Sequence, residues 1–282
     1  MTAAVHDLVL ADGRRLRVHD SASAGRVAFT VLWHHGSPQT GAPLAPLVRA
    51  ATARDIRLIS YARPGYPGST RHPGRTVADA ADDVAQLAAA LGIGRLAMLG
   101  ASGGGPHALA CAALLPNLVP AAATLAGIAP YDARDAGFDW FAGMADAGGV
   151  RAAITGLAAR ETHERTAQFE PDSFTPGDYE ALDGRWAALG TDVAEATAQG
   201  GAAGLVDDDV AFVRPWGFEP ADLATPVLVV QGGADRVVPP SHSRWLLEHL
   251  VDGELWLRPR DGHIGVLDAA PVALDWLRHS AA

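Results

Sequence analysis

The stretch LGASGGGPHALA, residues 99–110, places one serine among glycines between two apolar segments. The run RLAMLG, which ends at Gly100, predicts a short buried strand, and the run that follows the glycines predicts a helix. Gly100, Ser102 and Gly104 fit the pattern G-x-S-x-G, in which the serine lies on a sharp strand-to-helix turn and the glycines let the two backbones approach. An ordinary glycine-rich loop gives the same pattern, so the rest of the chain must supply a base, an acid and an oxyanion site.

The composition excludes several kinds of function. The 282 residues carry a formal net charge of -10, and an acidic protein does not favour nucleic acid or an anionic membrane surface as a partner. All 22 basic residues are arginine, which excludes a lysine Schiff base and a P-loop lysine. Cys111 is the single cysteine, so an intramolecular disulfide and a cysteine-rich metal site are also excluded. We expect neither a metal nor another cofactor.

The pattern along the chain also bears on location. No apolar run approaches the roughly 18 residues that a membrane helix needs. The first 20 residues, MTAAVHDLVLADGRRLRVHD, alternate and turn, and they lack the apolar centre of a signal peptide. The expected location is the cytoplasm.

The apolar runs predict an α/β fold. VHDLVL and RRLRVHD flank turn residues 11–13 and predict a hairpin. From residue 27 to residue 130, strands such as RVAFTVLWHH (residues 26–35) alternate with helices such as TVADAADDVAQLAAALG, for which Thr76 is the predicted N-cap. This alternation is typical of βαβ units and a parallel sheet, and it resumes with PVLVVQGG near the C-terminus.

Residues 131–215 lack apolar strand runs and have a helical pattern. A helical block between two strands of one sheet is typical of a lid over the carboxyl edge of the sheet, where α/β sheets bind ligands. We predict an α/β core of residues 1–130 and 216–282 and a helical lid of residues 131–215. Apolar lid side chains either pack in the core or line an apolar substrate pocket. The candidates for the pocket are Phe138, Trp140, Phe141, Met144 and Trp186.

Three further motifs follow predicted strands. HHGSP, residues 34–38, predicts a turn whose Ser37 backbone N–H can form an oxyanion hole with the N–H of Gly103. Asp235 lies just after PVLVV, where an acid can orient a histidine. His263 follows the last predicted strand, and histidine is the usual general base because its pKa is near neutral. Each motif alone is also typical of a simple turn, but together with Ser102 they give the order Ser, Asp, His.

The motifs HHGSP, GASGG, GGADRVVP and DGHIGVL, together with YARPGYPGST, resemble the α/β-hydrolase fold family over almost the whole chain. The resemblance implies a mostly parallel eight-stranded sheet that is flanked by helices and carries an inserted helical lid. It implies Ser102 as the nucleophile, Asp235 as the triad acid and His263 as the base. It also implies that Gly103 and Ser37 are the oxyanion donors.

Within that family the chain is similar to esterases and to prolyl-aminopeptidase-like enzymes. Such peptidases carry an aromatic residue next to the serine, whereas Ala101 and Gly103 flank Ser102 here. They also use lid acids to hold a free amino terminus, and nothing singles out the candidates Glu161, Glu164 and Glu170. We therefore expect a serine hydrolase that cleaves a small or medium, apolar carboxylic ester through an acyl-enzyme.

Other reactions stay open on the same three residues. They are amide hydrolysis, lactone opening and C–C bond hydrolysis. Dehalogenases and epoxide hydrolases of this fold use an aspartate nucleophile, which Ser102 disfavours. A non-catalytic binding module is the remaining alternative, and it predicts the loss of a triad member. The expected partner is a small-molecule substrate, and a homodimer is left open.

Four other features receive less weight as site residues. His107 is expected to pack within the helix after Ser102, and Cys111 on the same helix is expected to be a buried, inert thiol. Asp261, two residues before His263, is a weaker candidate for the triad acid. The run Asp207–Asp209 is expected to be a solvated acidic turn, because it lacks the spacing of a calcium loop.

Overall fold

The computed structural model describes residues 3–21, 29–131, 138–200 and 202–281, which include one eight-stranded sheet. The strands are β1 (Ala4–Val9), β2 (Arg15–Asp20), β3 (Phe29–His34), β4 (Ile56–Tyr61), β5 (Ala97–Ala101), β6 (Ala122–Leu125), β7 (Val227–Gly232) and β8 (Gly253–Arg258). Their order is β1-β2-β4-β3-β5-β6-β7-β8. β2 is antiparallel to β1 and β4, and all other neighbours are parallel. The predicted mostly parallel eight-stranded sheet is confirmed.

Helices cover both faces of the sheet. Those of the core are α1 (Ala45–Thr52), α2 (Asp79–Ala90), α3 (Gly105–Leu114), α9 (Pro240–His249) and α10 (Ala270–Ser280). Alternate residues of β3 face opposite sides, so Val31 packs with Leu47 of α1 and Leu274 of α10, while Leu32 packs with Leu87 of α2. Each such buried side chain contributes about 1.5–3 kcal/mol. None of the helices in the described residues is long and apolar enough to cross a membrane.

The register of the sheet brings two of the predicted motifs together. β3 and β5 are parallel neighbours, with Trp33 opposite Leu99 and His34 opposite Gly100. Their carboxyl ends therefore lie at the same edge of the sheet. The turn that follows β3 is for this reason beside the turn that carries Ser102.

One helix boundary differs from the sequence prediction. Helix α2 begins at Asp79, and Thr76 is not its N-cap. The backbone N–H and the hydroxyl of Thr76 instead both donate to the Asp79 carboxylate, at 2.6 and 2.8 Å, so Asp79 is the acceptor that organises this turn. β3 begins at Phe29, and residues 26–28 of the predicted strand lie outside the described residues.

Between β6 and β7 the described residues form five α-helices and no strand. They are α4 (Gly148–Thr155), α5 (Leu157–Glu164), α6 (Pro176–Asp183), α7 (Ala187–Ala198) and α8 (Ala202–Phe212), which we call the insertion. Asp178 of α6, Asp192 of α7 and Asp208 of α8 accept hydrogen bonds from loops that follow β8, β3 and β4. The insertion therefore contacts the carboxyl edge of the sheet. The domain boundaries at residues 131 and 215 stay predictions.

We expect Gly104→Ala to disrupt the packing of α3 against β3. A Cβ at this position would overlap the carbonyl oxygen of His34 and lie 2.7 Å from that of His35. Because both contacts are to backbone, the substitution should lower the free energy of unfolding by at least about 3 kcal/mol or prevent folding. Urea-induced unfolding measures the effect.

The matched control is Gly190→Ala, which lies inside α7 and has no heavy atom within 4 Å of the added Cβ. Alanine is the better helix former, so this variant should gain up to about 1 kcal/mol. A wild-type unfolding midpoint for Gly104→Ala would contradict the packing argument.

Candidate active site

Ser102 lies on a strained turn between β5 and α3, which we call the elbow. Its φ is +51°, in the left-handed region that a residue with a side chain disfavours. Close packing retains the strain, because a Cβ on Gly104 would overlap the His34 carbonyl and a Cβ on Gly100 would overlap the Gly104 carbonyl. The Ser102 side chain is partly exposed while its neighbour Gly103 is buried. The elbow thus presents one hydroxyl at the carboxyl edge of the sheet.

A series of hydrogen bonds joins Ser102, His263 and Asp235. Ser102 Oγ lies 3.0 Å from His263 Nε2, and His263 Nδ1 lies 2.8 Å from Asp235 Oδ2. The other carboxylate oxygen of Asp235 accepts the backbone N–H groups of Val237 and Val238 at 2.8 and 2.9 Å. This geometry fits an imidazole that donates from Nδ1 and accepts the serine proton at Nε2.

The environment of His263 favours its protonated form. Burial by itself lowers the pKa of the imidazole. The charge and hydrogen bond of Asp235, together with the charge of Asp178, outweigh burial and raise the pKa of His263 above its ordinary value. An imidazolium at His263 is therefore stabilised.

The geometry selects between the two candidate acids. Asp261 forms an ion pair with Arg258, whose Nε donates to Asp261 Oδ2. His263 Nδ1 meets Asp235 instead, and the Asp235 side chain is fully buried. Asp235 is therefore the carboxylate that orients the imidazole.

The two residues predicted to bind an oxyanion lie against each other beside Ser102. A Cβ built on Gly103 would lie 2.6 Å from Ser37 Oγ. The Ser37 hydroxyl already donates to Asp208 Oδ2 at 2.7 Å and accepts from Arg63 Nη2 at 2.9 Å. The Ser37 hydroxyl is therefore already engaged, and the role of the Ser37 and Gly103 backbone N–H groups as oxyanion donors stays a prediction.

Asp208 links these loops, and the sequence interpretation missed it. Its Oδ2 accepts from Ser37, from Arg63 Nη2 at 2.7 Å and from the Tyr66 hydroxyl at 2.6 Å, while Oδ1 accepts from Arg75 Nη2 at 2.7 Å. Asp208 and Arg63 are almost completely buried. Burial opposes ionisation, but the two guanidinium charges outweigh it and hold the pKa of Asp208 well below its ordinary value. Asp208 therefore fixes the turn after β3 to the loop after β4.

The prediction that Asp207–Asp209 is a solvated turn is wrong. The three residues lie within α8 and are buried. Asp207 accepts two hydrogen bonds from Arg71 at 2.8 and 2.9 Å, and Asp209 accepts one from Arg160 at 2.6 Å. Burial raises the pKa of Asp209 to about 6, against the opposing charge of Arg160. Successive helix residues point about 100° apart, so three adjacent acids meet three different sets of arginines.

The predicted pocket residues fall into two clusters. Phe138, Trp140, Phe141 and Met144 pack in the same cluster as Leu32 of β3, whereas Trp186 packs in the cluster of Val31 on the opposite face. The ring N–H of Trp140 donates to the Ala129 carbonyl at 2.8 Å, and that of Trp186 donates to Asp268 at 2.9 Å. Contact between any of these five residues and a substrate stays a prediction.

Other titratable groups take structural positions. His107 is buried, its Nδ1 lies 2.9 Å from the Gly103 carbonyl, and burial lowers its pKa to about 3. Burial also raises the pKa of Cys111 and keeps it a thiol. Within the part of the chain that the structure describes, no group of three or more His, Cys, Asp or Glu side chains is arranged to hold a metal ion.

The three glutamates considered as binders of an amino terminus are engaged elsewhere. Glu161 accepts from Arg71 at 3.2 Å, and Glu164 accepts from Arg160 at 2.8 Å. Glu170 accepts the backbone N–H of Asp172 at 3.2 Å.

Comparison with known proteins agrees with the fold. The sequence profile of the alpha/beta hydrolase fold matches residues 30–270. No curated protein matches the sequence.

Several solved structures are similar over the whole chain. A hydrolase from Pseudomonas aeruginosa PA01 is 21% identical with a TM-score of 0.73 and covers 98% of this chain and 97% of its own. A thermophilic esterase from Thermogutta terrifontis is 20% identical with a TM-score of 0.71 and covers 99% and 100%. The enol-lactonase from Burkholderia xenovorans LB400 is 20% identical with a TM-score of 0.68 and covers 98% and 99%. At these identities the likeness concerns the fold alone.

We expect Asp208→Asn to destabilise the protein strongly. It leaves the buried charges of Arg63 and Arg75 without a counter-ion, which should cost about 3–5 kcal/mol of unfolding free energy. The matched control is Glu161→Gln, which removes an acid of the insertion whose pair with Arg71 is 34–40% exposed. The control should change stability by less than about 1 kcal/mol. Equal, small losses in urea unfolding would contradict the importance of Asp208.

Proposed function

The chain belongs to the alpha/beta hydrolase fold family and is a hydrolase, and on this premise we propose that it cleaves a small or medium, apolar carboxylic ester by serine catalysis. The observation that carries the proposal is the hydrogen-bonded series from Ser102 through His263 to Asp235. A partly exposed hydroxyl meets an imidazole that a buried carboxylate orients, which is the arrangement that makes a serine nucleophilic.

The first half of the reaction transfers the acyl group to Ser102. Its Oγ attacks the ester carbonyl carbon while His263 Nε2 takes the hydroxyl proton. The backbone N–H groups of Gly103 and Ser37 stabilise the negative oxygen of the tetrahedral intermediate. The C–O bond to the alcohol then breaks, His263 protonates the leaving oxygen, and the acyl group remains on Ser102. Asp235 stabilises the imidazolium throughout.

The second half releases the acid. A water molecule gives a proton to His263 and attacks the acyl carbon, and the same two N–H groups stabilise the second tetrahedral intermediate. The bond to Ser102 Oγ breaks and the proton returns to Oγ. These steps require no cofactor.

Two observations bear on the substrate. Glu161 and Glu164 are committed to arginines, so they do not offer free carboxylates to the amino terminus of a peptide. The aromatic residue typical of the peptidases is also missing beside Ser102. We therefore rank ester hydrolysis above aminopeptidase activity. Lactone opening follows the same steps with the leaving alcohol kept in the product, and C–C bond hydrolysis is the other alternative on the same residues.

We also propose that the insertion acts as a lid. Helices α6, α7 and α8 each contact a loop at the carboxyl edge of the sheet, where Ser102 is partly exposed. A cover at this edge excludes water from the reaction and shapes the pocket for an acyl or alcohol group.

We expect Ser102→Ala to abolish covalent labelling by a fluorophosphonate probe. The same variant should lower kcat on p-nitrophenyl esters by about 10⁴–10⁶, and Asp235→Asn should lower it by about 10⁴. Ser280→Ala, at a partly exposed serine at the end of α10, is the control and should label like wild type. Labelling that survives Ser102→Ala would rule out the nucleophile. Faster turnover of proline amides than of esters in the same panel would overturn the ester ranking.

The pH dependence follows from His263, which must be neutral to accept the proton. Since its pKa is raised above 6.5, kcat/KM should fall as the pH drops through a midpoint above 6.5 and reach a plateau on the alkaline side. Rates on a neutral ester between pH 5 and about 9 measure this limb. A midpoint below that of free histidine would contradict the proposed environment.

A further inference from the structure

We propose that Asp178, on α6 of the insertion, is a positioning residue for His263 and holds the loop that carries the base in its reactive place. The proposal rests on the proposed function, because it assigns His263 as the base. It adds a second carboxylate to the site, one that comes from the insertion rather than from the core and that acts on the backbone beside the imidazole.

The contacts of Asp178 divide between its two oxygens. Oδ1 accepts the backbone N–H groups of Ile264 and Gly265, each at 2.8 Å. Oδ2 accepts the backbone N–H and the hydroxyl of Thr175, at 2.9 and 2.8 Å. The Ile264 and Gly265 groups belong to the two residues that follow His263. The Asp178 carboxylate therefore joins the first turn of α6 to the start of the helical turn that follows His263.

A role in capping α6 explains only half of these contacts. Thr175 and Asp178 form a capping box at the start of α6, and this box uses Oδ2 alone. Capping leaves the other oxygen free to face water, yet Asp178 is fully buried and its Oδ1 binds the His263 loop. The two hydrogen bonds to Oδ1 therefore serve the His263 loop and not the cap of α6.

The carboxylate fits closely against the loop. A Cβ on Gly262 would overlap the Asp178 carboxylate, so the residue before His263 is also in contact with it. Within the described residues, no cation forms an ion pair with Asp178, and backbone N–H groups and Thr175 satisfy its charge. A negative charge at the N-terminal end of a helical turn is favourable, because the first N–H groups there have no partner in the helix.

The position of Asp178 also has an electrostatic effect on the base. The charged groups around His263 are Asp235, which binds Nδ1 from the loop after β7, Asp178 from α6, and the Arg258–Asp261 pair in its own loop. Asp235 and Asp178 both raise the pKa of His263. Removal of the Asp178 charge should lower that pKa, whereas removal of its hydrogen bonds should displace the imidazole.

Two substitutions separate these effects. Asp178→Asn removes the charge but keeps an acceptor oxygen for Ile264 and Gly265. Its amide can donate to the Thr175 hydroxyl, although the Thr175 backbone N–H loses its acceptor. Asp178→Ser removes both the charge and the reach to the loop. Thr175→Val is the matched control, because it removes the cap of α6 and leaves Oδ1 of Asp178 on the loop.

The readout is the rate constant of Ser102 labelling by the fluorophosphonate as a function of pH, which needs no natural substrate. Asp178→Ser should lower the alkaline plateau by about 10- to 100-fold, as expected for a misplaced base. Asp178→Asn should keep the plateau within about threefold and move the acid midpoint down by about half a pH unit. Thr175→Val should retain both the plateau and the midpoint of wild type. The His263 imidazole titration, followed by NMR, should show the same downward shift for Asp178→Asn.

Failure of this proposal is distinct from failure of the proposed function. If wild type does not label at Ser102, the serine mechanism is wrong, and the NMR titration still reports whether Asp178 acts on His263. If wild type labels, but Asp178→Ser keeps its plateau and Asp178→Asn its midpoint, Asp178 serves only to cap α6. The positioning role is likewise overturned if Thr175→Val lowers the plateau as much as Asp178→Ser does.

Discussion

A carboxylate that is buried away from water must have its charge satisfied by the protein, and three aspartates of the insertion impose this requirement on the loops around Ser102. Asp178 takes its hydrogen bonds from the loop of His263, Asp192 takes them from the turn after β3, and Asp208 takes them from that turn and from the loop after β4. Because each acid lies on a different helix, the insertion and these loops are positioned by one another.

The three acids are satisfied in different ways. Asp208 is neutralised by two buried guanidinium groups, whereas Asp178 relies on backbone N–H groups and a hydroxyl. Burial raises the pKa of Asp192, and hydrogen bonds from Gln39 and Thr40 oppose the increase. The donors to Asp178 from the His263 loop are backbone N–H groups, which cannot change their protonation state.

The sequence was sufficient for the parts of the site that follow short patterns along the chain. Ser102, Asp235 and His263 each follow a strand, and parallel strands bring such positions to one edge, where hydrogen bonds join the three side chains. The sequence already ranked Asp235 above Asp261, and in the structure His263 Nδ1 meets Asp235 while Asp261 pairs with Arg258. The strain at Ser102 depends on its contacts with a separate strand, which spacing alone does not give.

The acids of the insertion escaped prediction for a physical reason. A run such as Asp207–Asp209 looks like a solvated turn, because most charges without a local partner face water. Its partner Arg63 lies more than 140 positions earlier, and a helix directs adjacent side chains to different sides. For Asp178 the sequence TPGD contains the capping box. No neighbouring residue indicates that the second carboxylate oxygen binds the distant loop of His263. The cluster of arginines in YARPGYPGSTRHPGR was the available signal.

The buried aspartates also limit how this protein can be recombined with its relatives. Exchanging the helical insertion of this chain for that of another hydrolase of the same fold would leave the sheet and the loops around Ser102 in place. In this chain the cut would sever acid–loop contacts on three sides and would leave Arg63 and Arg75 as buried, unmatched cations. A chimera that keeps its reactivity must therefore carry the acceptors at 178, 192 and 208 into the new insert, or import the facing loops with it.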